Sequence, residues 1–200
     1  MKNIFFLLFA LSILTACRDS ASTPASTNAV PTGPALDTTS EKTGIALAVR
    51  GFFGWYGKFM NSPEVGSEEL NFMDDSGPHY KIKAAVLDKY LNEFVKSGYA
   101  GQAFVEREKE FYQKAENHWQ TEPKGDIPTG MDADHYLCAQ EDMTEYYPKA
   151  PLRISFGGAD RATATLSLDD ETFKSTLNVF VKKENGKWVY VGTECATGVE

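Results

Sequence analysis

Cysteine is scarce in this sequence, three in 200 residues and no Cys-x-x-Cys pair, so a cysteine-rich zinc module and a thioredoxin-like redox centre are both excluded. No Gly-x-Ser-x-Gly frames a nucleophilic serine, and no glycine-rich run joins a strand to a helix to cradle phosphate. Histidine is equally rare. His79 stands by Asp74 and Asp75, and His118 by Glu116 and Trp119, neither with a second ligand at metal-binding spacing, so both read as solvated side chains. Basic residues are outnumbered, 20 against 28 acidic ones for a net charge of −8, and no basic run interleaves with aromatics. That balance repels phosphate backbones and excludes nucleic acid as a partner. Long apolar runs are missing too. The apolar stretch from Ile4 to Leu14 falls short of the roughly 20 residues that a membrane-spanning helix needs.

That stretch has the length of a secretory signal core and follows Met1-Lys2-Asn3. It ends in Leu14-Thr15-Ala16-Cys17, which resembles the lipobox of bacterial lipoproteins: an aliphatic residue, two small residues, then cysteine. The resemblance implies that residues 1–16 are removed and that Cys17 becomes the acylated first residue, carrying palmitate-type chains into a membrane. Two or three chains are needed because one gives only marginal binding, at about 0.8 kcal/mol per buried methylene. Arg18, in place of Asp, does not resemble an inner-membrane retention signal, so the implied location is the outer membrane, facing the periplasm, if the cell is Gram-negative. Residues 17–43 then read as a lipidated cysteine followed by a disordered tether, because Ala, Ser, Thr and Pro dominate and no aromatic residue occurs.

Loss of Lys2 with the signal leaves 19 basic and 28 acidic residues, a net −9. Residues 44–200 have the size of one domain with one core. With Cys17 lipidated, only Cys138 and Cys195 remain, in a compartment that permits disulfides. Their pairing is expected, and it closes a 56-residue loop worth roughly 4 kcal/mol on the chain-entropy account.

Periodicity predicts helices first and strands last. Ile45, Val49, Phe52, Tyr56, Phe59 and Met60 recur at helical spacing over 44–60, and Gly51, Gly54 and Gly57 would admit a backbone or a sheet along one stripe. A second helix is predicted over 80–97, stopped by Gly98. The span 100–119 reads as an amphipathic helix or as one that breaks before its end, and 121–131 as loop. Residues 153–156, 161–168, 173–182 and 187–193 have strand character, with Asn185-Gly186 as a two-residue hairpin turn. The fold class expected is α+β, N-terminal helices packed on a curved antiparallel sheet formed mainly by the C-terminal meander.

The segments Val49–Tyr56, Asp132–Leu137, Gln140-Glu141-Asp142 and Asn185–Tyr190 give this layout its resemblance to the cystatin-like or NTF2-like fold, and to a family of uncharacterised bacterial lipoprotein domains. The resemblance implies no activity. It does imply the option of a cone-shaped cavity between the long helix and the sheet, which Phe52, Trp55 and Tyr56 could line, Tyr56 as a hydroxyl donor. Aromatic residues at helical spacing are more often core than pocket. Asp132, Asp134 and His135 could face a cation, but Leu137 and Met143 occupy the positions where a calcium loop needs glycine and glutamate. No catalytic residue, metal or cofactor is assigned. The function expected is a non-enzymatic, membrane-anchored binding or scaffold domain with an envelope protein as partner, including an immunity-type domain that blocks an effector enzyme. The alternative is a small-ligand carrier or cavity enzyme built on the cone.

Overall fold

The computed structural model describes residues 38–169 and 174–195, the side chain of Cys195 excepted. The chain divides into two units, Met1–Ala35 and Leu36–Glu200, and all that follows concerns the second. The signal, the lipobox with Cys17 and most of the tether lie outside the described residues.

Helix α1 (Thr38–Met60) buries Ile45, Ala48, Val49, Phe52, Phe53 and Tyr56, the stripe that i, i+3, i+4 spacing puts on one face. It starts earlier than composition suggests. Residues 38–43, assigned above to the tether, form its first turns. Tertiary contacts outweigh the poor helix propensity of Thr and Ser: the Glu41 carboxylate accepts hydrogen bonds from Lys183 Nζ at 2.6 Å and from Trp188 Nε1. The glycines admit side chains, not a sheet. A methyl group on Gly51 would lie 2.1 Å from the Tyr99 ring, one on Gly57 2.4 Å from Thr144 Oγ1, and Gly54 faces open space.

Two short strands precede the second helix, β1 (Met73–Asp74) and β2 (Lys81–Ile82), paired antiparallel. Helix α2 (Ala84–Lys96) therefore begins later than its apolar spacing suggests, because residues 81–82 pair with 73–74. Two residues per strand are too few to show a period of two. Helix α3 (Gln102–Trp119) runs unbroken and packs on α2 and on the sheet. A 3₁₀ turn, Tyr147–Lys149, closes the long connection before the sheet.

The sheet contains β3 (Leu152–Phe156), β4 (Arg161–Asp169), β5 (Lys174–Glu184) and β6 (Lys187–Cys195) in that order, all antiparallel and not closed into a barrel. Asn185 and Gly186, at φ of 51° and 80°, make the type I′ turn that fits the right-handed twist of the hairpin. Ala162, Ala164, Leu166, Leu177, Val179, Val181, Trp188 and Tyr190 are buried in one core with the α1 stripe. The α+β reading, helices laid on a C-terminal antiparallel meander, thus holds. Along β6, Tyr190 N donates to Tyr99 O at 2.7 Å, so the α2–α3 connection covers part of that edge.

Candidate functional site

The polar feature of the interior is a carboxylate. Phe104, Glu108 and Tyr112 succeed one another every four residues along the buried row of α3, which takes Glu108 into the core with 2% of its surface exposed. Such a group must be paired. Tyr136 Oη donates to Glu108 Oε2 at 2.7 Å, and His135 Nε2 lies 2.8 Å from the same oxygen. The His135 ring is held by stacking on Phe111, centroids 4.5 Å apart, and its side chain keeps 26% exposure.

A second carboxylate fixes the loop that supplies those partners. Asp134 Oδ1 accepts from the backbone N–H groups of Tyr136 and Leu137 at 2.8 and 3.1 Å, while Oδ2 accepts from Tyr56 Oη at 2.6 Å. Helices α1 and α3 are thereby tied to the same turn. Burial raises the phenols of Tyr56, Tyr90, Tyr112, Tyr136 and Tyr190 above the ordinary tyrosine value, and the Glu108 charge adds to the shift at Tyr112, Tyr136 and Tyr190. These phenols are therefore neutral and not bases, and two of them donate, Tyr56 to Asp134 and Tyr136 to Glu108.

The residues named from sequence fall as follows. Phe52 and Tyr56 belong to the core, Phe52 stacked on Tyr190 with centroids 3.5 Å apart, and Trp55 is stacked on Phe59 at 4.9 Å. None of these three lines any of the four clefts described between surface elements. Tyr56 does donate, to Asp134. Asp132 is exposed, and no group of three His, Cys, Asp or Glu side chains among the described residues is placed to hold a metal. His118 meets Glu122 at 3.3 Å, and Asp74 accepts from Ser76 rather than from His79. Cys138 is disulfide-bonded. Its loop lies against the end of β6, since Thr193 Oγ1 donates to His135 O at 2.7 Å. No described helix is long and apolar enough to cross a membrane.

Glu108 went unnoticed in the sequence, although its place four residues from both Phe104 and Tyr112 marks an acid on an apolar row. Helices on an open meander, with a paired carboxylate in a ring-filled core, define an α+β domain whose interior is closed by its own side chains. No family model and no curated protein matches the chain. Among solved structures it is similar to a chain of the type VI native effector-immunity complex Tae3-Tai3 from Ralstonia pickettii. The identity is 16%, the match covers 76% of this chain and 95% of that one, and the TM-score is 0.40, a level that carries no argument about function.

Proposed function

We propose that this chain is a bacterial lipoprotein, anchored through Cys17, whose folded domain binds an envelope protein instead of turning over a substrate. The observation that supports binding over catalysis is the filled interior. Where a cone could open between α1 and the sheet, Phe52 stacks on Tyr190, and Phe94, Phe104 and Tyr136 close around them. The anchor rests on the lipobox pattern Leu14-Thr15-Ala16-Cys17. Cys195 is the partner we assign to Cys138, because Thr193, two residues before it, is bonded to the Cys138 loop.

Radiolabelled palmitate should enter the native chain and not Cys17→Ser, and label retained in the variant would contradict the anchor. Formaldehyde treatment of intact cells should move the chain into one discrete heavier adduct containing a second protein. A chain left entirely free, while a control complex cross-links, would count against binding.

One observation favours a small-ligand carrier or cavity enzyme, namely the buried Glu108 beside Tyr136 and His135, the acid and donors that proton transfer needs. That reading requires ligands to reach Glu108. Solvent-exchange measurements that find the Tyr136 hydroxyl shielded both with and without candidate ligands would remove it.

A further inference from the structure

Beside the start of α3, a cleft of about 440 Å3 lies against strands β4 to β6. Phe180, Val191, Ala103 and Ala162 give it apolar walls, and Arg107, Arg161 and Lys182 supply its charge, with no Asp or Glu in the lining. The Glu184 carboxylate, two residues beyond Lys182, is engaged elsewhere: it caps α3, accepting from the backbone N–H groups of Gln102 and Ala103 at 2.9 and 3.0 Å. Among the described residues none of the three cations forms an ion pair. Three like charges gathered without a counter-charge, on a chain of net charge −8, conflict with the rest of the surface.

Arg107 is also fixed in place. It donates to Thr193 O at 2.6 Å and lies 5.3 Å over the Phe180 ring. The strand below is cut away to receive it, because a methyl group on Gly192 would come within 2.4 Å of Arg107 Nε. The register shift at Phe180/Val181 falls beside the same contact. A pre-positioned guanidinium over an aromatic floor, flanked by two unpaired cations, suits a carboxylate next to an apolar side chain.

We propose that this cleft is where the domain grips its protein partner, receiving an Asp or Glu side chain and an adjoining apolar residue from an exposed segment of that partner. The proposal rests on the binding-domain reading and deepens it. It also gives the acidic chain a way to hold an acidic segment, through a local patch opposite in sign to its net charge.

The test is selection of a phage-displayed pool of random heptapeptides on the full acylated chain in detergent micelles. Recovered sequences should be enriched in Asp and Glu beside an apolar residue. The enrichment should vanish on Arg161→Glu/Lys182→Glu, and the affinity of a selected peptide should fall about tenfold or more. Arg161→Gln/Lys182→Gln, closer in shape, should give the same loss, weaker in degree, if charge reversal disturbs folding. No acidic enrichment, or enrichment that both variants retain, would overturn the proposal. Self-association seen by light scattering, abolished by the variants without acidic enrichment, would make the occupant a second copy and overturn it equally. A stoichiometric envelope partner recovered alongside a pool without acidic preference would leave the binding reading standing and remove this cleft from it.

Discussion

Glu108 is the residue on which the interior depends. Its carboxylate is buried, so its two partners do more than add hydrogen bonds: they spare the core an uncompensated charge. His135→Ala should therefore cost on the order of 2 kcal/mol in urea unfolding, the penalty of leaving a buried charged group under-satisfied. Replacing all three members, as Glu108→Leu/His135→Leu/Tyr136→Phe, should cost less than the single change, since neither an orphaned charge nor an orphaned hydroxyl remains. A triple variant less stable than His135→Ala would show that the cluster stabilises in its own right. The sequence exposes Glu108 only through its spacing. Glu106, Lys109 and Glu110 surround it, and apart from that spacing nothing local distinguishes the buried acid from its solvated neighbours. The distinction comes from Tyr136 and His135, which lie 28 and 27 positions away.

Helices α3 and α1 are each secured at their start by a carboxylate. Glu184 reaches across from β5 to cap α3, where the exposed N–H groups and the positive end of the helix dipole meet a carboxylate. Glu184→Ala should cost about 1 kcal/mol and should raise amide exchange first at Gln102 and Ala103. The start of α1 is held through Glu41, whose carboxyl lies below the ordinary range because Lys183 and Trp188 bond to it. A depressed folded-state value means stability that is present above the unfolded value and lost as pH falls through the folded one. Native chain and Glu41→Gln should thus differ in melting temperature at neutral pH and converge in acid. A constant gap from pH 7 downward would contradict the pairing. The meander, the Asn185-Gly186 turn and the α1 stripe were legible because periodicity and turn chemistry act locally. The first turns of α1 and the β1–β2 pair were not, since both depend on partners remote in sequence or on strands two residues long.

At the scale of the molecule, one core joins three helices to one sheet, and the staple at Cys138 sits where the α3 loop meets the end of β6. If Cys195 completes the bond, Cys138→Ser and Cys195→Ser should each lower stability by roughly 2–5 kcal/mol. Thiol titration of the unfolded chain lacking its signal and carrying Cys17→Ser should find no free thiol, and two would refute the pairing. Composition defined the acidic surface, and periodicity the overall order of helix and strand. Neither could reveal that three cations converge on one cleft, because Arg107, Arg161 and Lys182 come from three elements. The central claim, an anchored domain that binds a protein, is tested most directly by quantitative co-purification of the acylated chain from its own envelopes at native abundance. One protein should be retained near stoichiometry in every replicate. Recovery of the chain with nothing reproducible above background would contradict it.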